Sequence, residues 1–207
     1  MIIVTEIFKQ ISLYRFLAYC NDMSNLEKAV LDCGAGGDQP PLSLFYQSGY
    51  RTYGIELNKE QLEKSQEYAF QKNQNLNIVS GDMCDLKFSD SFFPFVYSYN
   101  SVFHMKKSYV NRAINEMKRV LKPQGLLFVN FLSTNDFRCG LGPQVGKNEY
   151  EQMDDFPVIH SYYEKDEPDD YFENMEILFK EDRVVERIYE GKKIRQGFID
   201  YIVQKPL

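Results

Sequence analysis

The chain has 207 residues, with 24 Lys and Arg against 30 Asp and Glu, for a formal net charge of −6. That balance argues against a broad phosphate-binding surface, so no nucleic-acid partner is expected. With 43% hydrophobic and 26% charged residues and no apolar run long enough to span a bilayer, the composition is that of one globular domain without a membrane partner.

Met1-Ile2-Ile3-Val4 is too short for a secretory core and is soon followed by Glu6 and Lys9, so a cytoplasmic location is expected. From Thr5 to about Asn21, residues Ile7, Ile11, Tyr14, Leu17 and Ala18 recur at helical spacing and predict an amphipathic helix. A first strand, Lys28 to Cys33, runs into the turn Gly34-Ala35-Gly36-Gly37. Glycine has no Cβ to hold a ligand off, and a side chain at Gly34 or Gly36 is expected to occupy ligand space. A helix from Pro40 to Gln47 follows, ended by Gly49.

The second strand, Arg51 to Asn58, carries the acid Glu56 at its end, and Asn58 with Gln61 predicts a capped helix reaching about Lys72. The third strand, Leu76 to Met83, ends in Gly81-Asp82-Met83 and leads to the acidic stretch Asp85 to Asp90. The fourth, Pro94 to Asn100, is aromatic. Lys106 to Leu121 has a buried stripe of Val110, Ala113, Ile114, Met117 and Val120, and Leu126 to Leu132 is the fifth strand. Strands alternating with helices predict a parallel sheet with ligands beyond its C-terminal strand ends. Thr134 to Tyr171 has no helical stripe and reads as a long functional loop. Glu176 to Phe179, Arg183 to Tyr189 and Phe198 to Val203 read as antiparallel strands, with turns at Glu181-Asp182 and Glu190-Gly191-Lys192.

The strand ends narrow the ligand. A dinucleotide fingerprint would place a third glycine at position 39, where this chain has Gln39, and Pro40 and Pro41 remove two amides that a pyrophosphate would want. A nicotinamide oxidoreductase is therefore disfavoured. Glu56 can accept hydrogen bonds from both hydroxyls of a ribose, Asp82 from an adenine amino group, and Met83 can pack on the ring. A nucleoside without phosphates points to S-adenosylmethionine. In the motifs Leu31 to Gly37, Glu56, Gly81-Asp82-Met83 and Arg119-Val120-Leu121-Lys122-Pro123-Gln124-Gly125, the chain resembles the class I S-adenosylmethionine-dependent methyltransferases from about Leu26 to Ser133. Gln124 stands where that family commonly has glycine. The resemblance implies a Rossmann-like α/β fold, with a mostly parallel seven-stranded sheet flanked by helices and antiparallel C-terminal strands.

Length and composition suit a single domain over 1–207, in which residues 1–25 are expected as a helical cap across the cofactor mouth, residues 134–171 as a substrate lid and residues 172–207 as the antiparallel strands. Cofactor contacts are expected from Asp32, Gly34, Ala35, Gly36, Glu56, Leu57, Asp82, Met83, Asn100 and Tyr14, with Tyr19 beside Tyr14. Methyl transfer is an in-line displacement that needs alignment and, for a neutral acceptor, a base. The acceptor is expected near Asn100-Ser101-Val102-Phe103-His104. His104 is a candidate base or a plain pocket wall, His160 can reach the acceptor from the loop, and Arg138 can grip a carboxylate. Tyr150, Phe156, Tyr162 and Tyr163, with Gly140, Gly142 and Gly146 as pivots, are expected to enclose a small-molecule acceptor. The prolines that follow Asn100 in base-methylating enzymes of this fold are absent. A cofactor-binding regulatory module without transfer chemistry is the alternative. Cys20, Cys33, Cys84 and Cys139 show no metal-ligand spacing, so reduced thiols and no metal are expected.

Overall fold

The protein is described by a computed structural model covering residues 8, 10–23, 25–154, 156–189 and 191–207. Helix α1 (Ile11–Asp22) precedes β1 (Ala29–Cys33), α2 (Leu42–Gln47), β2 (Arg51–Glu56), α3 (Lys59–Gln71), β3 (Ile78–Ser80) and β4 (Phe93–Ser98). Helix α4 (Lys107–Val120) leads into β5 (Leu121–Ser133). Then come β6 (Gln144–Gly146), β7 (Glu149–Met153), β8 (Pro157–Tyr163), a 3-10 helix (Glu167–Phe172), β9 (Glu176–Tyr189) and β10 (Lys192–Gln204). Thr5 and Ile7, the expected start of α1, lie outside the described residues.

Strands β3, β2, β1, β4 and β5 are parallel and lie in that order, with β10 antiparallel on β5 and β9 antiparallel on β10. Strand alternation sorts the core into two layers. Val30, Phe95, Tyr97, Phe128 and Ile202 face α1, α2 and α3, where Phe16, Phe45 and Tyr68 meet them. Leu31, Val96, Leu127, Val129 and Tyr201 face α4 and the 3-10 helix. Five α4 residues, Val110, Ala113, Ile114, Met117 and Val120, are fully buried. The larger ones each contribute on the order of 1.5–3 kcal/mol, so this helix fixes the sheet face beneath the site.

Three expectations change. The sheet has ten strands, not seven, because residues 134–171 are not a loop. They fold as the meander β6–β7–β8, whose last strand joins β5 in parallel at Leu132–Tyr162 and Ser133–Tyr163. β5 offers that edge because it outruns β4, whose last rung is Ser98–Val129. Second, Glu181-Asp182 is no turn: β9 is continuous, and both residues pair with β10, at Asp200 and Ile199. Its reversal lies at Gly191, with φ +74°. Third, the Lys122–Gly125 turn is absorbed into β5, with a register shift against β4.

Candidate active site

The C-terminal ends of β1, β2, β3 and β4 surround a cleft of about 560 Å³. Gly34 and Gly36 enter it from β1, Glu56, Leu57 and Asn58 from β2, and Gly81, Asp82 and Met83 from β3. Asn100, Ser101, His104 and Met105 enter from the segment after β4, and Asp154 and Phe156 from the turn between β7 and β8 close it with Val158 of β8. Among the described lining residues there are three carboxylates and no Lys or Arg, which suits a cationic ligand and not a phosphate.

Glu56 does more than its position at a strand end suggests. Its Oε2 accepts the Gly36 N–H at 3.0 Å and its Oε1 the Asn58 N–H at 2.8 Å. The carboxylate therefore fastens the glycine turn to the start of α3, where Asn58 Oδ1 caps Gln61 N–H. Each oxygen keeps a further lone pair for a ligand hydroxyl. The glycines, which line the cleft, also answer to protein neighbours. A Cβ on Gly36 would lie 2.6 Å from Glu56 Oε2 and 2.7 Å from Gln61 Cβ, and one on Gly34, at φ +100°, 2.3 Å from Ser101 Oγ.

Asp82 Oδ1 accepts the Cys84 N–H at 2.8 Å, a local turn that sets the carboxylate at the rim. Asn100 adopts φ +54°, donates its N–H to Asn130 Oδ1 at 2.7 Å, and accepts from Asn130 Nδ2 at 2.6 Å. Asn130 is fully buried on β5. Sequence reading missed it, along with Asp154. An Asn in the middle of an apolar strand was the available signal, because a buried amide needs a partner.

Other expected residues sit elsewhere. Asp32 is buried beneath the turn and outside the cleft lining. Burial, opposed by the nearby Tyr97 hydroxyl and reinforced by Glu56, pushes its pKa up to about 8. Neither Asp32 Oδ1 nor Tyr97 Oη has a hydrogen-bond partner. Ala35 is core: it packs where Gly54 leaves room, a Cβ there falling 2.7 Å from its own. Tyr14 does not line the cleft; its hydroxyl accepts the Phe8 N–H at 3.0 Å. Tyr19 packs against the α1 face of the sheet. Helix α1 sits on that face through Leu13, Phe16, Leu17 and Cys20.

The meander is fastened rather than hinged. Ser161 donates its N–H to the Phe103 carbonyl at 2.9 Å and its hydroxyl to the Met105 carbonyl at 2.5 Å. Glu149 Oε1 accepts the Lys107 N–H at the start of α4, a favourable place for a carboxylate. Tyr162 and Tyr163 are wholly buried, and of the four aromatics expected to enclose an acceptor Phe156 alone lines the cleft. His104 opens onto the cleft; its crowded setting, then the neighbouring His160, hold its pKa well below the usual imidazole value. His160, 2% exposed, lies behind the wall and not in the cleft. Arg138 spends its guanidinium on Asp154 at 2.8 Å. All four cysteines are free.

Residues 31–129, just under half of the chain, match the family model described as a methyltransferase domain. A sterol 24-C-methyltransferase of Gibberella zeae is 31% identical over 111 residues, a match covering 52% of this chain and 29% of that one. The shared segment is thus under a third of that relative's length. Among solved structures, a Pyrococcus horikoshii protein superposes with a TM-score of 0.74 at 19% identity, covering 95% of this chain and 89% of that chain. An S-adenosylmethionine-dependent methyltransferase of Methanosarcina mazei gives 0.69 at 23% identity, covering 98% and 100%. Both likenesses speak for the fold alone. The strand-end motifs and the parallel sheet with its antiparallel β9–β10 addition agree with these likenesses: the chain has the Rossmann-like fold of the class I methyltransferases, and residues 31–129 are similar to a methyltransferase domain.

Proposed function

We propose that this protein transfers the methyl group of S-adenosylmethionine to a small-molecule acceptor seated between the β4 end and the β7–β8 turn. One observation carries the reading. A single cleft brings the glycine turn, the Glu56 and Asp82 carboxylates, and a separate wall of His104, Phe156 and Val158 together. The chain's residues fit the cofactor: Glu56 for the ribose hydroxyls, Asp82 Oδ2 for the adenine amino group, and Leu57 and Met83 for the ring faces. Gly34 and Gly36 give the close backbone approach, and Asn100, fixed by Asn130, borders the methionine end. Bound there, the cofactor supplies a methyl carbon on a positively charged sulfur, and the carboxylate-lined cleft favours that charge. Neutral His104 can take a proton from an acceptor hydroxyl or amine. Phe156 and Val158 present apolar surface to an organic acceptor. Four free cysteines agree with a reducing, cytoplasmic setting.

Calorimetry with S-adenosylmethionine, followed by transfer of a radiolabelled methyl group to a panel of small metabolites, tests this directly. Binding followed by label in a small molecule is expected. Binding with no transfer to any acceptor would favour a regulatory module, and label entering protein or nucleic acid would overturn the substrate class.

A further inference from the structure

Behind the acceptor wall, three side chains from separate elements converge. His104 comes from the segment after β4, Asp154 from the β7–β8 turn and His160 from β8; one ligand atom of each lies within 4.8 Å of the other two. The two imidazoles meet edge-on with ring centroids 4.6 Å apart. Asp154 uses Oδ1 for Arg138 at 2.8 Å and turns Oδ2 toward His160 Nε2 at 3.4 Å. The Ser161 hydrogen bonds to the Phe103 and Met105 carbonyls lock β8 against the segment bearing His104. His160 is 2% exposed, yet its Nδ1 has no hydrogen-bond partner. A stack of two rings beside a carboxylate with a buried nitrogen unmet is a poor way to fill a core. It is a suitable way to hold a cation.

We infer that His104, Asp154 and His160 form a binding site for a divalent transition-metal ion, of the zinc or cobalt kind, on the acceptor wall of the cleft. Two imidazoles and one carboxylate on one side of an ion leave its other positions open, and His104 and Asp154 both face the cleft. Ligand atoms at about 2.0–2.1 Å from such an ion lie roughly 3–3.5 Å apart, so a gap of up to 4.8 Å must close by roughly 1.3–1.8 Å. His160 supplies a fixed anchor, while the exposed His104 and Asp154 can move. Arg138 plays the orienting part that outer groups play in metal sites, holding one carboxylate oxygen so the other faces the ion.

The inference deepens the proposed function and rests on reading this wall as the acceptor site. An acceptor hydroxyl or amine bound to the ion would release its proton to solvent more readily. Its lone pair then forms the bond to the methyl carbon as the carbon–sulfur bond breaks, leaving that electron pair on sulfur. His104 serves as ligand in this state and as proton acceptor without the ion.

The full chain, tag-free and treated with chelator, should be titrated with Co(II) alone and followed by visible absorption and calorimetry. One Co(II) per chain is expected, with an affinity on the order of micromolar, weakened at least 10-fold in both His104→Ala and Asp154→Ala. Both positions are exposed, so each variant should fold, which near-UV circular dichroism will verify. Substoichiometric binding, or either folded variant keeping wild-type affinity, would overturn the site. Because Co(II) binding is read without S-adenosylmethionine, its failure leaves the methyl-transfer reading standing, and failure of cofactor binding leaves the metal result standing.

Discussion

Glu56 shows how one side chain can be legible while part of what it does stays hidden. An acid ending an apolar strand, 20 residues after Gly36, is visible in the sequence because strand periodicity makes a terminal carboxylate stand out. That the same carboxylate accepts the Gly36 and Asn58 N–H groups is not visible, since those partners depend on how two turns meet in space. Glu56→Ala should therefore cost S-adenosylmethionine affinity about 1.5–3 kcal/mol for each charge-assisted bond lost, and it should also loosen the glycine turn. Glu56→Gln keeps the size and one acceptor, so it should fall between wild type and Ala in calorimetry; equal affinities for all three would remove Glu56 from the cofactor site. Gln124 is the second case. Its φ is +62°, the left-handed conformation that disfavours a Cβ, while its N–H donates to the Lys205 carbonyl at 2.8 Å. The turn is held by the β10 end in spite of the residue. Gln124→Gly should raise the urea midpoint by an amount equivalent to about 0.5–1 kcal/mol, and a lowered midpoint would show that the side chain is needed.

At the scale of elements, the Rossmann-like half was readable because each strand, turn and helix announces itself locally, by β-branched and aromatic runs, by Gly and Pro, and by the α4 stripe. The meander β6–β7–β8 was not. Gly, Pro and Asp dilute its strands, and β8 is stabilised by partners remote in sequence: Leu132 and Ser133 on β5, Phe103 and Met105 after β4. The same distance hid the His104–Asp154–His160 cluster, because no short spacing joins three residues from separate elements. The meander's contribution to the cleft is Asp154, Phe156 and Val158, which lie within the expected 134–171 lid. Phe156, 53% exposed, has little to lose in stability. Phe156→Ala should then raise the acceptor KM several-fold while leaving S-adenosylmethionine affinity within a factor of about two. Steady-state kinetics against both substrates check this, and an unchanged acceptor KM would move the acceptor away from the turn.

Across the whole molecule, both faces of the parallel strands are covered and their C-terminal ends are open, so stability and function meet at the floor of the cleft. Asp32 is buried beneath that floor. Asp200 is equally buried, but it has Arg183 at 2.9 Å and Ser12 at 2.5 Å, whereas among the described residues no cation pairs with Asp32. Burial, with Glu56 adding to it, holds the Asp32 pKa near 8 against an ordinary 3.8. Below about pH 4 the group is protonated in both the folded and unfolded chain and costs nothing. As pH rises from 4 to 8 the unfolded chain gives up the proton and the folded one keeps it, so each step favours unfolding. Above 8 the folded chain must carry a buried carboxylate and the loss is complete. Other groups also titrate in this window, and the comparison with Asp32→Asn cancels them, because the amide keeps the shape and cannot ionise. Wild type and Asp32→Asn should be closest in stability near pH 4, with the variant gaining steadily and leading by on the order of 1 kcal/mol or more at pH 8. Urea unfolding at pH 4.5, 6 and 8 measures this. Parallel curves would mean that Asp32 is ionised in the native state, with a cationic partner or water beneath the glycine turn holding its charge.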